Sequence, residues 1–351
     1  MLVRAGKIRH LLRVIARRKT LFPPCSALWQ YLYHYDRHRE IPEVYSDLLR
    51  FSGAIPYENP DGDETLWLTV MYPPELIGEL REHLIAIYSE LKIGRGTQRH
   101  DHLIVDRIDF GEFGNSRPFR IRVTNLFNDN SDYFYVKKAD ASRIYGLELE
   151  HILSPNRINY LIRGDTLIEE HIAGVPGDVF LREYLPQPGL NEVRIAKEFT
   201  KFTERCFIRL LGDMRSVNYV VEITPDFEEV EYRVRPIDFD QQSYEGKGNI
   251  YLAFRFNSNR SVTRLAFNVL NRETIDQYVA EEHSQMTRRA KVENQRLRAL
   301  LGIMRRDPIA PAEHVRTLGT DLDRMHGTTS FHLCQSMGEL TAEHISLMLE
   351  M

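Results

Sequence analysis

The chain has 351 residues, 42% of them hydrophobic and 27% charged, with a formal net charge of -4 at pH 7. That apolar fraction is enough to build a core, which excludes disordered and fibrous classes. The length suits two domains or one large domain with lobes, and the charge balance gives no global basic field to attract nucleic acid. Three cysteines, Cys25, Cys206 and Cys334, stand far apart without a CxxC pair. Neither a disulfide framework nor a cysteine zinc site is therefore expected, and a cytoplasmic location is the default. No uninterrupted apolar run approaches the roughly 18 residues that a membrane span needs.

The N-terminal segment departs from this balance, because Asp36 is the first acidic residue. Arg4, Lys7, Arg9, Arg13, Arg17, Arg18 and Lys19 surround Ile8, Leu11, Leu12, Val14 and Ile15. The pattern predicts a basic amphipathic helix over residues 1–20, ending before Pro23 and Pro24. A helix docked on the body by its apolar stripe is the expectation. The same pattern also suits contact with a partner or an anionic membrane surface, or an organelle targeting segment.

Residues 1–95 read as a mostly helical extension. Thr65–Met71 is a strand candidate within it, and a helix follows from Pro73-Pro74 with Leu76, Leu80, Leu84 and Ile87 at helical spacing, closed by Gly94-Arg95-Gly96. Strands are then predicted at His102–Ile108, Phe119–Leu126 and Asp132–Lys138, separated by turn-rich Gly111–Pro118 and Asn128–Ser131. A helix over Ala141–Leu153 follows, then strands at Ile158–Ile162 and Thr166–Ile172 joined by Gly164-Asp165. Past Gly174 helices return. Ile195, Phe199, Phe202, Cys206 and Leu210 form one stripe over about residues 191–211, two short strands follow at Tyr219–Ile223 and Glu231–Ile237 around Pro225-Asp226, and the remainder is helical. Strands and helices are segregated, so the fold class is α+β and not alternating βαβ.

The most informative window is Leu211-Gly212-Asp213 followed by Asn218 at the entrance to a strand, with Ile237-Asp238-Phe239-Asp240 about 20 residues further on. An Asp, an Asn five residues later and a second Asp after a hairpin suit phosphoryl transfer. A hard divalent cation takes a carboxylate and an amide oxygen and keeps positions for phosphate oxygens and water, while a separate carboxylate accepts the proton of an attacking hydroxyl. The hairpin is expected to bring Asn218 and Asp238 to neighbouring strand ends.

On these residues the chain resembles the protein kinase-like superfamily, most closely its aminoglycoside and choline phosphotransferase branch. The branch has His-Gly-Asp-x-x-x-x-Asn where this chain has Leu211-Gly212-Asp213 and Asn218, and Ile-Asp-Phe plus an acid where it has Ile237-Asp238-Phe239-Asp240. Glu170-His171-Ile172-Ala173-Gly174-Val175-Pro176 is similar to the branch's segment where the lobes join. Two departures stand out: Leu211 replaces the loop histidine, and Gly111-Glu112-Phe113-Gly114 is not a full glycine-rich loop. The resemblance spans about residues 100–260.

The resemblance implies a bilobal fold, with a strand-rich N-lobe at 96–175 and a helical C-lobe at 176–351 behind the 1–95 extension. It implies ATP and Mg2+ as cofactors, with ATP between the lobes. Gly111 and Gly114 would turn over the phosphates, and backbone around Glu170 and Ile172 would meet the adenine. Lys137 or Lys138 would contact phosphate. Strand alternation favours Lys138 and motif spacing favours Lys137. Glu148, preferred over Glu150, would hold that lysine. Asn218 and Asp238 would bind the metal with Asp240 as a further carboxylate, and Asp213 would be the base. The implied activity is transfer of the γ-phosphate to a hydroxyl acceptor, a small molecule in that branch. Two rivals are a kinase-like enzyme that phosphorylates or nucleotidylates protein, and a pseudokinase acting as a binding scaffold. Tyr133, Phe134 and Tyr135 beside two lysines read as strand core in preference to a nucleic-acid stacking surface.

Overall fold

A computed structural model describes residues 19–42, 44–59, 62, 64–93, 101–225 and 230–351. Most of the expected basic helix over 1–20, the Gly94-Arg95-Gly96 stop and Asp226 of the hairpin loop lie outside the described residues. Two units divide the chain. One holds the described residues up to Asp140 together with Ile158–His171, and the other holds Ala141–Arg157 and the described residues from Ile172 to Met351. Among the described residues no helix is long and apolar enough to cross a membrane.

The first unit is built on an antiparallel sheet of β1 (Gly53–Glu58), β2 (Glu64–Met71), β3 (Leu103–Gly111), β4 (Phe119–Asn125), β5 (Ser131–Lys138), β6 (Tyr160–Arg163) and β7 (Thr166–Glu170). Its spatial order is β1-β2-β3-β4-β5-β7-β6. Helices α1 (Ser26–His34), α2 (Tyr45–Leu48) and α3 (Pro74–Ile93) belong to the same unit. Strand alternation sends Phe110, Phe119, Ile121, Phe134, Val136 and Ile168 to one face, where Leu80, Leu84, Ile87 and Leu91 of α3 cover them. The expected helical stretch before residue 95 therefore contains an additional strand, β1. Its Pro56 lacks a ladder donor and is tolerated because β1 is the sheet edge.

The opposite face of this sheet is polar. Register aligns Thr69, Asp109, Arg120, Tyr135, Glu169 and Tyr160 in one row across β2-β3-β4-β5-β7-β6. Of the three aromatics expected in the strand core, only Phe134 joins the apolar cluster. Tyr133 and Tyr135 lie one residue to either side and so point to the polar face.

The second unit begins with α4 (Ala141–Leu153), buried along almost its whole length. A short sheet of order β10-β9-β8 follows, formed by β8 (Val175–Pro176), β9 (Tyr219–Pro225) and β10 (Val230–Pro236). Helices α5 (Glu192–Ile208), α6 (Arg260–Val269), α7 (Arg272–Val292), α8 (Asn294–Met304), α9 (Ala312–His326) and α10 (Met337–Met348) make up the rest. The expected apolar stripe on α5 is buried, and Asn191 caps the helix by accepting a hydrogen bond from the Arg194 amide at 3.1 Å.

Candidate functional site

The loop that follows α5 carries the first candidate residues. Leu210 and Asp213 both take left-handed backbone conformations, with φ of 53° and 60°, which cost free energy for residues with a Cβ. Surrounding hydrogen bonds hold the loop in this shape. The Leu211 amide donates to the Cys206 carbonyl at 2.9 Å, Gly212 to Gln241 at 3.2 Å and Asp213 to Ile250 at 3.1 Å. Gly212 allows this close passage, since a Cβ there would sit 3.2 Å from the Gln241 carbonyl oxygen. Leu211, in place of the histidine of the resemblance, is fully buried. Anchoring comes instead from Asn259, also fully buried, whose Nδ2 donates to the Met214 and Ala253 carbonyls while its Oδ1 accepts from Tyr219 Oη.

Asp213 is buried and held by a two-pronged ion pair. Arg215 Nε lies 2.8 Å from Oδ1, and Nη2 lies 2.7 Å from Oδ2. Asn218, in a short turn over Ser216–Asn218, donates from Nδ2 to the Asp213 carbonyl at 2.7 Å. Register in the β9–β10 hairpin pairs Tyr219 with Pro236, and the Ile237 amide extends it by donating to the Asn218 carbonyl at 3.0 Å. Asn218 therefore faces Ile237 at the root of the hairpin, and Asp238 is the next residue along, so Asn218 and Asp238 lie at neighbouring strand ends.

Asp238 and Asp240 share a cation. Arg143, on the first turn of α4 and only 2% exposed, places Nη1 at 2.9 Å from Asp238 Oδ1 and 2.9 Å from Asp240 Oδ1. Its Nη2 donates to the Ile237 carbonyl at 3.2 Å, and the Asp240 amide donates to Asp238 Oδ1 at 3.0 Å. Gly146, one turn along α4, lets the helix approach this segment; a Cβ there would meet Phe239 Cβ at 3.0 Å. The Asp238 side chain keeps 36% exposure against 7% for Asp240, so only Asp238 opens substantially to solvent.

Both glutamates of α4 are fully buried and ion-paired. Glu148 Oε2 accepts from Arg296 Nε and Nη2 at 3.0 and 2.7 Å, and Glu150 is paired with Arg209. In the sheet unit Lys137 is buried and its Nζ lies 2.7 Å from Glu169 Oε2, whereas Lys138 is exposed and lines a cavity of about 530 Å³ with Leu21, Trp29 and His38. Glu170 accepts from the Asn159 amide at 2.7 Å, and Ile172 is buried. Gly111 closes the β3–β4 connection by donating to the Pro118 carbonyl at 2.8 Å, and Gly114 has φ of 75°.

Burial sets the remaining electrostatics. It pushes the Cys206 thiol up to about 12 and the Tyr219 phenol well above its ordinary range, so neither ionises at neutral pH. In the sheet unit burial likewise raises Tyr135 to about 12 and lowers His171, which lies 3.2 Å from the Tyr135 hydroxyl.

Among the described residues no group of three or more His, Cys, Asp or Glu side chains is arranged to hold a metal ion. A cation at the hairpin root would need the Asn218 amide oxygen beside Asp238, and those hard oxygen donors suit magnesium. Sequence reading misses Arg143 and Asn259 and gives Arg215 no role. Only the Asp-x-Arg spacing of Asp213 and Arg215 is a local signal. Neither a protein-family model nor a curated protein matches the chain.

Proposed function

We propose that the helical unit carries the catalytic and metal-binding part of a phosphotransferase that moves the γ-phosphate of ATP to a hydroxyl acceptor. By resemblance that acceptor is a small molecule. The supporting observation is the β9–β10 hairpin, whose register brings Asn218 and Asp238 to neighbouring strand ends, together with the hydrogen bond from Asn218 Nδ2 to the Asp213 carbonyl. On this reading Asp213 orients the acceptor hydroxyl and takes its proton, for which one carboxylate oxygen must exchange Arg215 for substrate. Asn218 and Asp238 would hold magnesium, which neutralises phosphate charge when bound. Lys137 is preferred to Lys138 as the phosphate contact, because it shares the polar sheet face with Tyr135 and Glu169.

A nucleotide-binding scaffold is the second reading. It is favoured by the guanidinium contacts that already satisfy Asp213, Asp238 and Asp240. Thermal unfolding with ATP, with and without magnesium, separates the two. A ligand at about 100 times its Kd stabilises the folded state by about 2.7 kcal/mol. The phosphotransferase reading expects such a shift in the wild type only with magnesium, its loss in Asp238→Asn, and its retention in Asp213→Ala, which no longer turns over. A shift that is independent of magnesium and of Asp238 would favour the scaffold. No shift with any nucleotide would remove both.

A further inference from the structure

A cavity of about 560 Å³ in the helical unit is lined by the C-terminal half of α7 and by the end of α4 with the segment after it. Gln285, Arg288, Arg289 and Val292 stand at i, i+3, i+4 and i+7, so one face of α7 supplies its wall. Ile152, Pro155 and Arg157 line it from the other side. Arg157 and Arg288 are exposed and Arg289 is half-buried. Among the described residues none of these three arginines forms an ion pair, in contrast with Arg143, Arg205, Arg209 and Arg215. Glu293 is the one carboxylate among the described lining residues. Arg289 Nη1 is buried and has no hydrogen-bond partner among the described residues, an unfavourable state for a charged donor. Burial above all holds this guanidinium below its ordinary pKa; Glu282 and Glu150 oppose the shift, and Arg205 and Arg288 add to it. Those two acids are ion-paired with Arg205 and Arg209 respectively. The negative end of α7 favours a cation in its last turn, but gives no reason for Arg157 to line the same cavity from the chain after α4.

We propose that this cavity binds a soluble small molecule with a phosphate group, which Arg157, Arg288 and Arg289 grip while Ile152, Pro155 and Val292 take its uncharged body. The chemistry follows from the donors. A guanidinium offers parallel N–H groups that match phosphate oxygens, and it stays charged at every accessible pH. Three such groups line one cavity here. A phosphate monoester offers them about three peripheral oxygens and roughly two negative charges, more than a carboxylate can supply. The cavity is larger than a phosphate group alone, and its apolar lining suits an attached organic body. Bound phosphate also gives the buried Arg289 Nη1 an acceptor. The site shares no residue with Asp213, Asn218 and Asp238, and it stands whether or not the phosphotransferase reading does.

The test is a calorimetric titration of the full chain with phenyl phosphate in the absence of magnesium, with benzoate as the carboxylate control. Saturable binding of one phenyl phosphate per chain is expected in the wild type, with benzoate weaker. Arg288→Ala and Arg157→Ala, both at exposed positions and so expected to fold, should each weaken binding by about tenfold. Asp238→Asn should leave it unchanged, as should Arg298→Ala, which removes an exposed arginine outside this cavity. Four results would overturn the proposal. The first is no saturable binding. The second is loss in Asp238→Asn with retention in Arg288→Ala, which puts the anion at the acid loop. The third is equal weakening in Arg298→Ala, which means a general basic surface. The fourth is capture by vesicles containing phosphatidic acid without binding of phenyl phosphate, which makes the ligand a lipid headgroup.

Discussion

In the sheet unit, Asp109 is fully buried and takes hydrogen bonds from Thr69, Arg107 and Arg120, while those guanidiniums lie over the rings of Tyr57 and Trp67. In the helical unit, Asp213, Asp238 and Asp240 are also held by arginines, but from loop positions, with Asp213 in a left-handed conformation and Asp238 partly open to water. The chemistry is the same and the supports differ. Asp109 sits in a cross-strand row whose register fixes every partner, so its network is closed and structural. The loop acids, on an irregular segment, are held by arginines, with local strain stored at Asp213. Buried ion pairs alone do not mark a site; what distinguishes these acids is convergence on an irregular, partly solvated segment.

The contrast can be broken most directly at Asp109. Asp109→Ala leaves Arg107 and Arg120 uncompensated and should cost about 3 kcal/mol, the low end for a broken buried pair because the guanidiniums keep some water contact. Urea unfolding checks this, and a loss below about 1 kcal/mol would mean the sheet network is not a structural one.

At the C-terminal end of α5 the helical unit keeps charge out of a histidine pair. His344 is fully buried, its Nδ1 lies 3.2 Å from the Ile208 carbonyl, and its Nε2 lies 3.0 Å from His326 Nε2. The carbonyl can only accept, so His344 Nδ1 carries the proton and His326 Nε2–H donates to His344 Nε2. Burial lowers His344 to about 3 and also lowers His326. Because the folded pKa lies below the unfolded value, this contribution to stability is complete above about pH 6.5 and falls as pH drops towards 3, by up to about 1.4 kcal/mol per pH unit for His344. Unfolding free energies measured from pH 7 to 5 should lose part of this slope in His344→Gln, and an unchanged slope would show that the pair stays neutral for no energetic reason.

The smallest effects compare adjacent lysines. Lys137→Met removes the ammonium that stands against Glu169 and should cost about 1–2 kcal/mol, whereas Lys138→Met at an exposed position should stay within about 0.5 kcal/mol. Equal effects in thermal unfolding would erase the distinction drawn between them.

Much of the helical unit's loop is legible in the amino-acid sequence. Asp213, Asn218 and Asp238 are separated by a short hairpin, and two-strand register is a local property that spacing can carry. The choice between Lys137 and Lys138 is not legible there, because strand alternation and motif spacing point to different residues and only packing shows which one is buried. That Glu148 meets Arg296 and Glu150 meets Arg209 is not legible either, since a buried helix shows no sign in its own polar residues of which distant elements cover it. β1 escapes notice because Gly53, Ala54 and Pro56 interrupt its strand formers Ile55 and Tyr57, and it is held by pairing with β2.

Most of the succession of elements, the segregation of strands from helices and the spacing of Asp213, Asn218 and Asp238 about one hairpin are written in the order of residues. They follow from periodicity, turn residues and short-range register, which act over a few positions at a time. Which cations meet those acids is a matter of packing alone. Arg143 and Asp238 are 95 residues apart, and their meeting depends on how α4 packs against the segment after β10. No local propensity encodes such a pairing, because it comes from burying a helix whose neighbours are supplied by the rest of the chain.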